Sequence, residues 1–504
     1  MYLTRVGKAF GILLILAGAA AWARAGSLHL PRSTPERQGI PSAALLATVE
    51  ALDRMDQVHS LMVVRHGHVV AEGWWGPYDA ETPHELFSLS KSFTSTAVGL
   101  AVAEGLLRVD DPVLQHFADD APPSPGPNLR AMRIRDLLTM STGHQDESPV
   151  APALVSAQSF LAHPVPHKPG THFKYNTPAT FLQSALVQKV TGTNTAEYLR
   201  PRLFEPLGIT GARWDTNFQG ISLGGYGLRL RTEDIAKFGQ LYLRRGIWEG
   251  KRWIPEAWVR EATSRQVSNG SNPDSDWEQG YGYQFWRCRY GAYRGDGAFG
   301  QFCVVLPDQD AVIAVTAGVG DMPGLLNRLW ETLLPAFHKG PLKADAAARE
   351  RLERRLLGLR VPTPSGGATA PAAASVLGKT YRFAHNDGGL ESLSLDTSGP
   401  EGWVLTRTFS GKTQSLRCGH GRWMTGRGLL GDSPKGPARP LPEESLAASG
   451  AWTSDDTWTV KICATGTPFQ TTHALRFTGD EVVITTRTQV RTGGVAPGPL
   501  TGRR

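Results

Sequence analysis

Short apolar runs alternate with stretches of helical periodicity from about residue 27 to residue 338. Residues 60–64 and 69–75 flank a turn at His66-Gly67 and predict a β-hairpin. Three further antiparallel strands and a closing helix are predicted at residues 281–290, 299–306, 311–317 and 325–337. The alternation predicts an α/β (α+β) domain in which one antiparallel sheet is flanked by the first and last helices.

The pattern of apolar and polar residues changes after residue 340. A charged helix is predicted at residues 344–356, and Pro, Ser, Gly, Thr and Ala dominate residues 361–374, as is typical of a linker. Short β-like runs then alternate with turns at residues 379–383, 403–408, 458–462 and 481–486. We therefore expect an α/β domain over residues 26–340, a helix and linker over 341–375, and a small all-β barrel or sandwich over 376–504. A chain of 504 residues is also too long for one ordinary core.

The N-terminus has the pattern of a signal peptide. Arg5 and Lys8 precede an apolar run over residues 10–21, and Ala23-Arg24-Ala25 supplies small residues for cleavage before Gly26. The apolar run is shorter than the roughly 20 residues that span a bilayer, so a cleaved signal is favoured over a membrane anchor. The sequence predicts removal of residues 1–25 and export to the periplasm or the medium.

Composition and charge exclude several classes of protein. With 40% hydrophobic and 20% charged residues, the chain has no coiled-coil, collagen-like or disordered signature over most of its length. The formal charge is +7, and cleavage of the signal would remove three basic residues and no acid, which leaves +4. This small surplus predicts no nucleic-acid partner.

The four cysteines fall into two pairs, Cys288 with Cys303 and Cys418 with Cys463, and each pair flanks predicted β structure. In an oxidising compartment either pair could form a disulfide, and buried free thiols are the alternative. Their spacing contains no C-x-x-C. A structural role is therefore favoured over nucleophilic or metal-binding chemistry.

Candidate chemistry begins at Ser88. The segment Phe-Ser-Leu-Ser-Lys-Ser-Phe over residues 87–93 opens an apolar helix that runs toward Gly105, and Lys91 lies three residues after Ser88. On a helix this spacing places both side chains on one face. A neutral lysine, with its pKa lowered by burial, can take the proton of a serine hydroxyl, and the helix N-terminus favours developing negative charge. Because S-x-x-K occurs by chance about once or twice in a chain of this length, the interpretation needs support from other segments.

Three competing motifs lack their required context. Residues 295–300 match G-x-G-x-x-G, but a strand pattern follows instead of the helix that a dinucleotide site needs. Residues 220–224 match G-x-S-x-G without the strand and helix of a nucleophile elbow. A histidine cluster has no carboxylate or cysteine at metal-ligand spacing; its members are His163, His167 and His172. We expect neither a metal nor an organic cofactor.

Further segments follow the serine motif in a recognisable order. They are Ile-Arg-Asp-Leu-Leu-Thr-Met-Ser-Thr-Gly (134–143), Lys-Pro-Gly-Thr-His-Phe-Lys-Tyr-Asn-Thr (168–177), Phe-Glu-Pro-Leu-Gly-Ile (204–209), Gly-Tyr-Gly-Leu (225–228) and Thr-Glu-Asp-Ile (232–235). Together these segments resemble the serine β-lactamase and penicillin-binding protein superfamily. The resemblance is nearest to its class C branch, with esterases, D-amino peptidases and 6-aminohexanoate-oligomer hydrolases. It covers residues 35–337 and implies the β-lactamase/transpeptidase-like fold.

The resemblance implies a role for each candidate residue. Ser88 would be the nucleophile, Lys91 its proton relay, and Tyr175 the phenol that acts as general base and then protonates the leaving group. A cationic Lys91 would lower the pKa of Tyr175, and the alternative for Tyr175 is a half-buried loop aromatic. The backbone N–H groups of Ser88 and Ala298 would form the oxyanion hole.

The chain departs from the family pattern at the substrate-binding positions. Thr177 stands where the family has Asn, and Gly295-Asp296-Gly297 stands where it has Lys-Thr-Gly, so the lysine that binds a substrate carboxylate is missing. Thr177, Asp296 and Gly297 would border the substrate. Three arginines could replace the lysine, namely Arg287, Arg289 and Arg294. A small or peptide-like ester or amide is therefore expected ahead of a β-lactam.

Two alternatives remain open from the sequence. The first is a true class C-like β-lactamase, and the second is a penicillin-binding sensor that has lost turnover and binds cell-wall fragments. In the second case the C-terminal β domain would serve as a ligand or docking module. An acyl-enzyme that turns over repeatedly distinguishes an enzyme from a sensor.

Overall fold

A computed structural model describes residues 29–147, 154–399, 402–430, 443–493 and 497–504. The predicted signal peptide lies outside these residues. Within the described ranges, no helix has the length and apolar character needed to cross a bilayer.

One antiparallel sheet forms the centre of the first domain. The strands of this domain are β1 (Val58–Arg65), β2 (His68–Trp74), β3 (His84–Glu85), β4 (Arg213–Trp214), β5 (Leu228–Leu230), β6 (Ile247–Trp248), β7 (Lys251–Arg252), β8 (Trp286–Arg287), β9 (Tyr293–Gly297), β10 (Gln301–Leu306) and β11 (Ala311–Ala317). Six of them make the sheet, in the order β2-β1-β11-β10-β9-β8. The predicted hairpin, β1 and β2, is confirmed.

Helices cover both faces of this sheet. The helices of this domain are α1 (Ser42–Asp53), α2 (Ser90–Ala103), α3 (Val113–His116), α4 (Pro127–Ala131), α5 (Ile134–Leu138), α6 (Ala157–Leu161), α7 (Thr177–Thr191), α8 (Thr195–Leu199), α9 (Thr232–Leu243), α10 (Glu256–Thr263) and α11 (Met322–Thr332). Because strand side chains alternate, Val63 packs with α1 and α11 on one face, whereas Met62 and Val64 pack with α9 on the other. The predicted sheet with its first and last helices is confirmed.

The strand predicted at residues 281–290 is wrong. Only the short β8 lies in that segment, and the strand beside it in the sheet is β9, which contains the Gly-Asp-Gly segment. Gln284 and Tyr290 both have left-handed backbones, with φ of +64° and +58°. These two turns interrupt the extended run that the apolar pattern suggests.

The second domain is the predicted all-β unit. Its strands are β12 (Thr380–Phe383), β13 (Leu390–Thr397), β14 (Gly402–Phe409), β15 (Lys412–Gly419), β16 (Met424–Gly428), β17 (Glu444–Trp452), β18 (Thr457–Ala464), β19 (Gln470–Thr478), β20 (Glu481–Thr488) and β21 (Leu500–Arg503). They form a ten-stranded sheet, and a pairing of β15 with β17 closes it into a barrel. Closure leaves no open sheet edge at that seam.

The connection between the domains contains α12 (Ala346–Leu357) and α13 (Ala373–Val376). Residues 361–374 contain little regular secondary structure and lie against both domains. The Val361 N–H donates to the carbonyl oxygen of Gly76 at 2.8 Å, and its carbonyl oxygen accepts from Trp423 Nε1 at 3.1 Å. These two hydrogen bonds therefore fix the connection at Val361.

A buried chain of hydrogen bonds crosses the contact between the domains. His84 Nδ1 lies 3.0 Å from the carbonyl oxygen of Glu85, His59 Nδ1 lies 3.1 Å from His84 Nε2, and Gln470 Nε2 lies 3.2 Å from His59 Nε2. Gln470 Nε2 also donates to the hydroxyl of Tyr78 at 3.1 Å. This order of donors and acceptors requires neutral imidazoles. Burial agrees with it, because it lowers the pKa of His84 to about 4 and that of His59 well below its ordinary value.

The four cysteines are free and buried, which is the second of the two alternatives left open by the sequence. Burial raises the pKa of Cys303, Cys418 and Cys463 to about 12, so these thiols stay protonated near neutral pH. Each one therefore packs as a small apolar side chain.

Candidate active site

Ser88 and Lys91 lie together at the start of α2. Ser88 is half-buried in the tight turn Phe87–Leu89, and Lys91 follows one helical turn later with only 1% of its surface exposed. The Lys91 Nζ atom is 3.1 Å from Ser88 Oγ. The helical spacing predicted from the sequence therefore brings the amine within hydrogen-bonding distance of the hydroxyl.

Two further oxygen atoms surround the Lys91 amine. Nζ donates a 2.8 Å hydrogen bond to the carbonyl oxygen of Gly225 and lies 3.4 Å from Oγ1 of Thr177. A Cβ at Gly225 would come within 2.7 Å of Thr177 Cγ2, so this approach requires glycine. Burial lowers the pKa of Lys91 to about 7, and the charges of Glu147 and Asp296 oppose that shift. A large fraction of the amine is therefore neutral near pH 7 and able to accept a proton.

Tyr175 faces the same amine from a loop. Its ring centre is 5.0 Å from Lys91 Nζ, and its hydroxyl shares a hydrogen bond with the side chain of Ser88. Trp286 stacks on the Tyr175 ring, with 5.5 Å between ring centres. The next residue, Asn176, caps the first turn of α7 and anchors the loop. The three predicted catalytic side chains thus meet in one place.

The protonation of Tyr175 differs from the expectation. Burial raises the pKa of the phenol above its ordinary value, and the negative charge of Asp296 raises it further. The hydrogen bond with Ser88 lowers the Tyr175 pKa without reversing the shift. The expectation that Lys91 lowers this pKa is therefore wrong, because burial among aromatic rings dominates. Tyr175 is a neutral phenol, and Lys91 is the better proton acceptor at rest.

Strand β9 ends beside the turn that contains Ser88. A Cβ at Gly297 would lie 2.0 Å from the carbonyl oxygen of Leu86, so only glycine permits this approach. Ala298 follows directly and packs in the same apolar cluster as Phe87. The fold therefore brings the segment of the second predicted oxyanion amide next to the first.

The residues next to these two amides have strained backbones. Phe87, directly before Ser88, has φ of +47°, and Phe299, directly after Ala298, has φ of +70°. A left-handed backbone costs a non-glycine residue roughly 1–2 kcal/mol, and it persists where surrounding packing imposes it. The contacts of the two phenylalanine rings therefore matter to the geometry of the site.

The missing lysine of the Lys-Thr-Gly motif has a structural explanation. A Cβ at Gly295 would lie 2.4 Å from Leu89 Cδ1 and 2.6 Å from Ser92 Oγ. Strand β9 therefore packs closely on the side chains of Leu89 and Ser92. A lysine at this position would therefore require the Leu89 and Ser92 side chains to shift.

The predicted substrate-binding residues have different surroundings. Thr177 is half-buried, with its hydroxyl toward Lys91. The Asp296 side chain is 6% exposed and its carboxylate pairs with Arg294 at 2.8 Å. Gly297 supplies the close backbone approach described above. Of the three, Thr177 alone has a side-chain group directed at the Lys91 amine.

The three arginines that could replace the lysine already have partners within the protein, either carboxylates or backbone carbonyl oxygens. Arg294 is fully buried against Asp296, and Arg289 pairs with the buried Asp276 at 2.8 Å. Arg287 donates to the carbonyl oxygens of residues 263 and 291 at 3.0 and 3.2 Å. The proposal from sequence that one of them binds a substrate carboxylate has no support in these contacts.

Two residues that the sequence reasoning missed help to build the site. Glu147 Oε1 accepts a 2.6 Å hydrogen bond from the backbone N–H of Thr177, and its charge raises the pKa of Lys91. Gln284 accepts from Thr180 Oγ1 at 2.9 Å, and its carbonyl oxygen accepts from Ser92 Oγ at 2.8 Å, so it joins α7 to α2. The only sequence signal for Glu147 is its position just after the predicted Ser-Thr-Gly segment.

The histidines of the loop before Tyr175 form ring pairs. His167 stacks on His172 at 4.3 Å, and His163 stacks on His144 at 5.5 Å. Among the residues that the structure describes, no three His, Cys, Asp or Glu side chains are grouped so that they could hold a metal ion.

Comparison with known proteins gives distant relatives. The chain is 24% identical to 6-aminohexanoate-dimer hydrolase of Paenarthrobacter ureafaciens over 58% of its own length and 83% of that protein. It is 29% identical to lovastatin esterase of Penicillium rubens, over 26% of this chain and 39% of the esterase. An uncharacterised protein of Alkalihalophilus pseudofirmus is 24% identical over 43% of this chain and 67% of that protein. The chain thus spans about two fifths of the esterase and two thirds of the Alkalihalophilus protein.

A solved structure, the octameric penicillin-binding protein homologue of Pyrococcus abyssi, is 16% identical with a TM-score of 0.46, over 90% of this chain and 98% of that one. The model of the Beta-lactamase family matches residues 32–324, which include the paired Ser88 and Lys91, the loop of Tyr175 and strand β9. This match covers more than half of the chain. The protein belongs to the Beta-lactamase family.

Proposed function

We propose that this protein is a serine hydrolase that cleaves an ester or amide through an acyl-Ser88 intermediate. The observation that carries the proposal is the 3.1 Å contact between Ser88 Oγ and a buried Lys91 amine whose pKa is about 7. The relatives named lovastatin esterase and 6-aminohexanoate-dimer hydrolase support a hydrolase reaction.

In the acylation step, Ser88 Oγ passes its proton to Lys91 Nζ and forms a bond to the substrate carbonyl carbon. The N–H groups of Ser88 and Ala298 stabilise the oxyanion. Collapse of this intermediate breaks the bond to the leaving group, which takes the proton from Lys91 through the Tyr175 hydroxyl. In deacylation, water attacks the acyl carbonyl carbon while its proton passes to Lys91 Nζ. The bond to Ser88 Oγ then breaks, the carboxylic acid leaves, and Ser88 Oγ takes the proton from Lys91.

The proposal predicts covalent labelling at one serine. A fluorophosphonate probe should add to the wild-type protein, and peptide mapping after intact-mass detection should place the adduct on Ser88. Ser88→Ala should remain unlabelled. Ser90→Ala is the matched control, since Ser90 lies two residues away but is fully buried, with its Oγ accepting from the N–H of Leu228. Equal labelling of the wild type and Ser88→Ala would contradict the proposal.

The charges around the site favour an uncharged substrate over one with a carboxylate. Asp296 and Glu147 both add negative charge near Lys91, and Gly295 replaces the family lysine. A substrate carboxylate in this site would lack the charge-assisted hydrogen bond from the family lysine, and such a bond is worth about 1.5–3 kcal/mol. An ester or amide without a carboxylate is therefore the expected substrate, ahead of a β-lactam.

This charge distribution predicts an order of rates. We expect kcat/KM for p-nitrophenyl butyrate to exceed that for p-nitrophenyl hemisuccinate by at least about tenfold, because only the second ester carries a carboxylate. Nitrocefin, a cephalosporin with a carboxylate, should be turned over slowly or not at all. Release of p-nitrophenol and the nitrocefin colour change measure these rates. Efficient turnover of nitrocefin would instead favour a true β-lactamase.

A further inference from the structure

Three phenylalanines meet behind the catalytic serine, and one of them comes from the barrel. Phe87 precedes Ser88, Phe299 follows Ala298, and Phe469 lies between β18 and β19. Ring centres are 5.4 Å apart for Phe87 and Phe299, 6.1 Å for Phe87 and Phe469, and 6.0 Å for Phe299 and Phe469. All three pairs meet edge to face, which is a favourable geometry for aromatic rings. We call this group the phenylalanine triad.

The triad includes both residues with strained backbones next to the oxyanion hole. Phe87 and Phe299 have φ of +47° and +70°, and neither conformation is one that a phenylalanine adopts without imposed packing. Phe469 touches both rings and is itself 2% exposed. One residue of the second domain therefore supports both strained positions.

The turn that carries Phe469 is held by hydrogen bonds. The Ala464 N–H donates to the carbonyl oxygen of Phe469 at 3.1 Å, and the Phe469 N–H donates to Thr467 Oγ1 at 3.1 Å. The neighbouring Gly466 accepts a 2.9 Å hydrogen bond from the N–H of Glu85, two residues before Phe87. Gln470, next to Phe469, belongs to the buried hydrogen-bonded chain with the histidines. The ring is thus held from the barrel side and from the first domain.

We propose that Phe469 is a positioning residue for acylation: through Phe87 and Phe299 it holds the Ser88 nucleophile and the Ala298 amide in place. The inference rests on the proposed function of Ser88. Phe469 packs on Phe87 and Phe299 and is not proposed to touch substrate. Its effect lies in keeping the two amides and the hydroxyl aligned, so its loss should reduce kcat more than it changes KM.

The test is a comparison of two buried barrel phenylalanines. Phe469→Ala removes the triad contact, whereas Phe477→Ala removes a ring that packs on Tyr381 and Trp452 inside the barrel. With p-nitrophenyl butyrate, we expect kcat of Phe469→Ala to fall by about 10- to 100-fold, less than the roughly 10²- to 10³-fold loss from deleting an oxyanion donor. We expect KM to change by less than about threefold. Phe477→Ala should keep the wild-type kcat while its unfolding temperature falls.

Phe469→Leu restores apolar bulk and should recover most of the lost kcat. If Phe469→Ala does not fold, Phe469→Leu takes its place in the comparison, with Phe477→Leu as the control. The kcat of Phe469→Leu should then be measurably lower than that of the wild type. The inference is overturned if the folded Phe469 variants match the wild type in kcat, or if the Phe477 variants lose as much. Failure of the proposed function is distinguishable, because the wild-type protein would then not be labelled at Ser88.

Discussion

Ser88→Ala should reduce kcat/KM for p-nitrophenyl butyrate by at least about 10⁴-fold, because the acyl-enzyme can no longer form. Residual activity would come from substrate binding and the oxyanion amides alone. The Ser88 side chain is half-buried in a turn, so its loss should leave the unfolding temperature nearly unchanged. Initial rates and a thermal melt of the same preparation measure both effects.

Ser90→Ala provides the control for that experiment. It removes a hydroxyl from the same segment and the hydrogen bond from the Leu228 N–H, so some stability should be lost while activity is kept. If Ser88→Ala retained more than about a tenth of wild-type activity, the nucleophile would have to be another residue.

Lys91→Met should reduce kcat/KM by about 10²- to 10⁴-fold, the range that a general base contributes. In the wild type, the pKa of about 7 for Lys91 predicts the pH dependence. Only the neutral amine accepts the Ser88 proton, so kcat/KM should rise with pH, roughly tenfold per unit below pH 7, and level off above it. In Lys91→Met this rise should disappear. A pH–rate profile of both proteins measures the difference.

The stability of Lys91→Met should not fall. Burial lowers the pKa of Lys91 in the folded protein below the ordinary value of 10.5. Below that pH the unfolded chain binds a proton at Lys91 more readily than the folded protein does, so Lys91 lowers the free energy of unfolding. Lys237→Met is the matched control, since Lys237 is also fully buried but lies on α9 beside Asp234. If kcat/KM of Lys91→Met still rose with pH below pH 7, another group would have to titrate near pH 7.

The parts of the site predictable from sequence were those set by local geometry or by the order of motifs. Helical spacing alone brings Lys91 to Ser88, and the contact is 3.1 Å. The family resemblance added the Tyr175 loop, which the structure places against the same amine. The sheet, its flanking helices and the C-terminal barrel also followed from hydrophobic periodicity.

The parts that could not be predicted depend on contacts between distant residues. Phe469 meets Phe87 only because the barrel docks on the first domain, and no local pattern marks that pairing. The strand predicted at residues 281–290 is wrong because Gln284 and Tyr290 adopt left-handed backbones that their residue types do not signal. The raised pKa of Tyr175 likewise reflects burial beside Trp286. The signal peptide and the domain boundaries remain predictions.

The placement of Phe87 in the apolar core of the barrel has an evolutionary consequence. A recombination event within the connecting segment would replace Phe469, the barrel residue whose ring meets Phe87. A replacement barrel would therefore need an apolar side chain that fits against Phe87 and Phe299.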